Sequence, residues 1–110
     1  MGFDKYQELA ARTINQALPL DKQADHALHG MCAEIGELHS LYQKEYQGHV
    51  LDEDHLKKEL GDLLWFMAEY CTAMGWDFSE IARINIQKLI DRYPDGFEEE
   101  RSIYRKEGDI

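Results

Sequence analysis

Residues 52–75 read DEDHLKKELGDLLWFMAEYCTAMG, and the fold is decided by how this stretch is read. No alternation of the β type is present, and the residues from Leu60 onward are apolar nearly all round: Leu60, Leu63, Leu64, Trp65, Phe66, Met67, Tyr70, Cys71 and Met74. Asp52 or Asp54 can accept hydrogen bonds from the free amides of a helix start, and Gly75 can close the other end. A helix with so little polar face is central to its domain or lies at a subunit interface.

Working outward, punctuation separates three more helices. Residues 21–47 form the preceding one, starting near Asp21 and stopping at Gly48. A first helix runs from about Phe3 to Leu18, with Tyr6, Leu9, Ala10, Ile14, Ala17 and Leu18 on one face, and ends before Pro19. After Gly75, Asp77-Phe-Ser-Glu80 resembles a capping box and opens a helix over residues 78–93, before Pro94. Residues 95–110 are charged and form either a short fifth helix or a tail packed on a neighbour. The expectation is an all-α, four-helix-bundle-like single domain over residues 1–110, and an oligomeric one.

Charge narrows the partners. The net charge of −10, from 12 basic and 22 acidic residues, is unsuited to a nucleic-acid surface. The same field repels small phosphates unless divalent cations intervene, so an acidic protein handling nucleotides must do so through metal. Cys32 and Cys71 read as lone, buried, reduced thiols. Met1-Gly2-Phe3-Asp4 carries no signal-peptide pattern, and Tyr6 breaks the myristoylation pattern. The longest apolar run, Leu63 to Ala68, is far too short to span a bilayer. These features predict a soluble, cytoplasmic chain with no membrane partner.

The central helix carries Glu59-Leu-Gly-Asp62-Leu, and the one before it carries Glu34-Ile-Gly-Glu37-Leu. Each acid pair is at i and i+3, on one helix face, where like charges repel by a few tenths of a kcal/mol. Each mid-helix glycine costs about 1 kcal/mol relative to alanine. Local rules broken twice in one pattern point to function or to a close approach of backbones. By helical rise, Glu34 and Glu37 lie roughly 15 Å before the end of their helix, and Glu59 and Asp62 roughly 12 Å into theirs. A short turn makes the two helices antiparallel, so the pairs meet at nearly one height. Leu38, Leu60 and Leu63 beside them read as core residues. Four facing carboxylates need cations, and oxygen-only ligands suit Mg²⁺, or Mn²⁺ in its place.

Other metals fit less well. None of His26, His29, His39, His49 and His55 has a glutamate three positions before it, which removes the ferritin-like di-iron pattern. His26-x-x-His29 lacks a partner pair for zinc, and no EF-hand loop is present. On the fourth helix, Asn85, Lys88 and Arg92 line one strip at i, i+3 and i+7, suited to polyphosphate held opposite the metal. The competing reading of that strip is a solvated face making helical ion pairs.

With these residues assembled, the sequence resembles the MazG-like branch of the all-α nucleoside triphosphate pyrophosphohydrolases. The pattern is Glu34-x-x-Glu37, 21 intervening residues, Glu59-x-x-Asp62, then Asn85, Lys88 and Arg92, over about residues 25–93. Arg92-Tyr-Pro-Asp-Gly-Phe97 also resembles small single-domain members, including phage-encoded ones. The resemblance implies Mg²⁺-dependent hydrolysis of a (d)NTP between its α- and β-phosphates, giving the monophosphate and pyrophosphate, in a homodimer or homotetramer. It implies Glu34, Glu37, Glu59 and Asp62 as metal ligands and catalytic residues, Lys88 and Arg92 as phosphate grips, and Asn85 as a hydrogen-bonding partner of phosphate or water. Trp65, one turn from Asp62, and Gln7 are candidates for contact with the base. Two alternatives stay open: another nucleotide anhydride, such as phosphoribosyl-ATP or the alarmone guanosine tetraphosphate, and a non-catalytic acidic helical interaction module.

Overall fold

A computed structural model describes residues 1–110 and is all-helical: α1 (Phe3–Ala10), a 3₁₀ turn (Ala11–Thr13), α2 (Leu20–Tyr46), α3 (Glu53–Met74), α4 (Phe78–Arg92) and α5 (Glu99–Ile103). Residues 1–78 and 79–110 form two compact units.

The first unit is built on α2 and α3. Glu34 meets Glu59, Gly30 meets Phe66 and His26 meets Glu69, so partner numbers fall as helix numbers rise: the pair is antiparallel. Gly30 leaves room for a side chain of α3. A Cβ there would land inside the Phe66 ring. Gly36 and Gly61, the glycines of the acidic motifs, have nothing within 4 Å of an added Cβ. The seat of the Phe66 ring therefore explains Gly30, and no such contact explains the two motif glycines.

Helix α3 starts and stops as its sequence predicts. Asp52 Oδ1 accepts from the amides of Asp54 (3.0 Å) and His55 (3.3 Å). Gly75 is left-handed (φ 75°), and the Trp76 amide donates to the Cys71 carbonyl at 2.9 Å. Helix α2 starts differently. Pro19 is its N-cap, with its carbonyl accepting from Lys22 and Gln23, while the buried Gln23 side chain donates back to the Leu18 carbonyl at 2.8 Å. Asp21 is in the first turn, where its charge complements the helix dipole, and does not cap.

The first helix is shorter than its periodicity predicts. It gives way to the 3₁₀ turn after Ala10, where the Thr13 hydroxyl donates to the Ala10 carbonyl. Asn15 Oδ1 then accepts from the Ala17 amide, a local turn that competes with helix. Gln7 holds this unit together at its far end. Its amide nitrogen donates to the Trp76 carbonyl (2.8 Å) and Thr72 hydroxyl (3.2 Å), and its oxygen accepts from the Phe78 amide (2.8 Å). Phe78 itself is buried against Phe3 and Tyr6.

Burial departs from expectation at several positions. Cys71 is buried, but Cys32 is exposed. Leu60, expected in the core beside the acids, is 57% exposed, and Met67 and Met74 are exposed too. No helix is long and apolar enough to cross a membrane.

In the second unit α4 stops at Arg92, the Tyr93 amide still donating to the Leu89 carbonyl, and a turn through Gly96 (φ 92°) leads to α5. Residues 95–110 thus contain the short fifth helix, and a second turn follows it: Gly108 has φ 85°, and the Asp109 amide donates to the Lys106 carbonyl at 3.0 Å.

Candidate metal centre

Helix α2 contributes Glu34 and helix α3 contributes Glu59 and Asp62 to one cluster, with one carboxylate oxygen from each lying within 4.8 Å of the others. The helices meet here because one antiparallel register aligns both acidic motifs, as the distances to the connecting turn predict. Glu37, the fourth acid of the pattern, is exposed and outside this trio, although its charge acts on Glu34.

The Oε2 atom of Glu34 is buried with no hydrogen-bond partner. A buried carboxylate oxygen lacking a donor is costly unless it gains a proton or a cation. Without metal, a proton answers. The hydrogen bond to Glu59 pushes the Glu34 carboxyl up to about 7, helped by burial and by the charges of Glu59, Asp62 and Glu37. The same contact holds Glu59 below the usual carboxylate range, with His55 lowering it further. The contact thus favours the protonated form of Glu34 and the ionised form of Glu59. An all-oxygen donor set, one of its atoms orphaned, fits a hard divalent cation.

Two neighbours escaped the sequence reading. His55 Nε2 is 3.2 Å from Glu59 Oε1, one helical turn away, and orients that carboxylate. The i,i+4 spacing of His55 and Glu59 is the signal that could have found it. Tyr6 of α1 has its phenol raised by burial and, next, by the charge of Asp62. Nothing in the pattern of a separate helix announces that approach.

Trp65 and Gln7 both tie the first unit together. The Trp65 indole N–H donates to the Thr13 hydroxyl (2.9 Å) and the Ala10 carbonyl (3.1 Å), with its ring edge-on to Phe66. Both candidates for the base thus spend their polar groups on packing. His26 is also more than a surface histidine. Its Nδ1 lies 2.8 and 3.1 Å from the two oxygens of Glu69, a carboxylate that is 1% exposed.

In the second unit, Lys88 and Arg92 line a cleft of about 550 Å³, which Asn85, exposed on α4, does not reach. Arg92 is engaged there: its Nε and Nη2 donate to the two carboxylate oxygens of Asp109 at 2.8 and 2.7 Å. That bidentate bond holds Asp109 below its usual range and raises Arg92.

A family model described as the MazG nucleotide pyrophosphohydrolase domain matches residues 22–97. The match takes in α2, α3 and α4, and with them Glu34, Glu37, Glu59, Asp62, Asn85, Lys88 and Arg92, and ends before Asp109. No curated protein and no solved structure matches the chain.

Proposed function

The chain belongs to the MazG nucleotide pyrophosphohydrolase domain family, and on that premise we propose that it hydrolyses nucleoside triphosphates between the α- and β-phosphates in a Mg²⁺-dependent reaction. Water attacks the α-phosphorus, the bond to the bridging oxygen breaks, and the monophosphate and pyrophosphate leave. The observation that carries this reading is the Glu34, Glu59 and Asp62 cluster with the orphaned oxygen of Glu34. These three side chains would hold the cation, which when bound lowers the pKa of a coordinated water and offsets charge on the phosphates. Glu37, close enough to act on Glu34 but outside the trio, is the acid left to orient the attacking water and take its proton. Lys88 and Arg92 are the proposed phosphate grips, with Asn85 as a hydrogen-bonding partner.

We also assign the functional form to a homo-oligomer in the cytoplasm. Leu28, Ile35 and Tyr42 recur every seven residues on α2, and Leu60, Met67 and Met74 do so on α3; all six are exposed. Two apolar stripes at heptad spacing suit a second copy of the same hairpin. Light scattering on Leu60→Lys should show a smaller species than the native chain.

The test of the activity is a panel of NTPs and dNTPs, with phosphoribosyl-ATP and guanosine tetraphosphate included, assayed for phosphate products with and without Mg²⁺. Metal-dependent release of pyrophosphate from one or more triphosphates is expected. No release from any substrate, together with no heat of Mg²⁺ binding, would leave the interaction-module reading in its place.

A further inference from the structure

The cleft of the second unit brings together Lys88, Arg92, Arg101, Arg105 and Lys106, five basic residues against the acids Asp91, Glu107 and Asp109, in a chain of net charge −10. Its anion is the chain's own. Asp109 seats a carboxylate against Arg92 in the two-bond geometry that guanidinium also offers to phosphate. The Arg92 and Asp109 side chains are only 9% and 15% exposed, so this is an ordered, largely enclosed pair. The seat is built rather than incidental: the turn at Gly108, closed by the Asp109 amide on the Lys106 carbonyl, returns residue 109 to α4. Lys88 and Arg105 line the same cleft, and their charges also act on Asp109.

We propose that Lys88, Arg92 and Arg105 form one phosphate-binding site whose resident occupant is the Asp109 carboxylate, so that a substrate or product phosphate binds only by displacing residue 109. The proposal rests on the assignment of Lys88 and Arg92 to phosphate and extends it in two ways. It adds Arg105, from outside the family match, as a third grip. It also makes the turn at 106–109 an internal competitor that sets how tightly phosphate is held. Carboxylate and phosphate compete here for the same two guanidinium N–H groups, which Arg92 cannot donate to both in this geometry.

The test uses the full chain and inorganic pyrophosphate in metal-free buffer, so it does not depend on turnover. Titration of the native protein, followed by nitrogen-15 NMR, should move the Arg92 Nε–H resonance and the Asp109 backbone amide together, as one leaves the other. Removing the competing charge in Asp109→Asn should tighten pyrophosphate by about tenfold, while Asp109→Glu, which keeps the charge, stays near the native affinity. Adding Arg105→Gln to Asp109→Asn should reverse most of the gain. In turnover assays Asp109→Asn should lower KM for the nucleotide rather than raise kcat. The idea is overturned if pyrophosphate shifts Arg92 with Asp109 unmoved, or if Asp109→Asn binds no more tightly than the native chain. Hydrolysis without that gain would retain the enzyme and reject the competitor; the gain without hydrolysis would do the reverse.

Discussion

Glu69 and Glu34 both lie at the contact between α2 and α3, roughly 15 Å apart along the pair by helical rise, and the two carboxylates are treated in opposite ways. Glu69 is 1% exposed and both of its oxygens are reached by His26 Nδ1, across the helices, at 2.8 and 3.1 Å. Glu34 is also part-buried, but its Oε2 has no donor, and the groups nearest to it are other acids. One pair of helices thus satisfies a buried acid at one height and leaves another unsatisfied. The satisfied acid clamps two helices; the unsatisfied one leaves an oxygen open to a proton or a cation.

The largest expected effect separates the two acids by activity. Glu59→Gln keeps the shape of the cluster but removes a ligand charge, and should cut turnover by at least about 100-fold while leaving the thermal midpoint near native. A Glu59→Gln protein with full activity would remove that residue from the site. The mirror experiment is His26→Ala, which strands Glu69. It should cost about 2 kcal/mol or more in urea denaturation, because a buried carboxylate loses its only donor. A loss under roughly 0.5 kcal/mol would mean that Glu69 finds water or a proton at no cost, and the contrast with Glu34 would weaken.

How much of this contrast was legible in the sequence follows from its range. The echo of Glu34-x-x-Glu37 in Glu59-x-x-Asp62, with both distances to one turn, predicts the antiparallel register and the meeting of Glu34 with Glu59 and Asp62, though Glu37 falls outside the trio. Capping by Asp52 and closure by Gly75 are equally local and equally readable. The missed features are tertiary. Glu69 falls in an apolar helix and has no partner within its own turn, so only the fold reveals His26. Gln7 brackets Thr72, Trp76 and Phe78 across at least 65 residues of sequence, and no pattern encodes that. The early end of α1 came from side-chain bonds of Thr13 and Asn15 that override an apolar periodicity.

His55 tests the middle of the range. It is not among the acids, but it holds Glu59 in place from one turn away. His55→Ala should weaken Mg²⁺ binding by about tenfold in calorimetry, the usual effect of losing a group that orients a ligand. Unchanged affinity would show that Glu59 needs no such support.

A graded effect should appear with pH in the metal-free chain. Glu34 has its carboxyl raised to about 7 by the shared hydrogen bond with Glu59. A raised value means that the folded chain holds the proton longer than the unfolded one. Its contribution to stability is therefore complete below the ordinary glutamate range and is lost as pH rises toward 7. In EDTA the thermal midpoint should fall over that window, and saturating Mg²⁺ should abolish the fall, with about one proton released on binding at its acid end. Glu34→Gln should also abolish the fall. A midpoint that rises through the window in EDTA would place the proton elsewhere.

The smallest effect is expected at the glycines, and it tests the same contrast through the backbone. Gly30 sits between the two acids' heights and is required by contact, since a Cβ would enter the Phe66 ring. Gly36 and Gly61 sit beside the acids and have open space. In the isolated chain Gly61→Ala should therefore stabilise α3 by up to about 1 kcal/mol, the difference in helix propensity. The motif keeps two glycines at that cost, and Leu60 and Ile35, their neighbours, are exposed. On the function proposed above, the open space beside the acidic cluster and the apolar stripe would admit nucleotide or a second copy. Gly61→Ala should accordingly melt higher yet bind nucleotide or assemble more weakly. A variant that gains stability and loses neither would make the glycine a neutral inheritance, and the cluster beside it would then stand on its carboxylates alone.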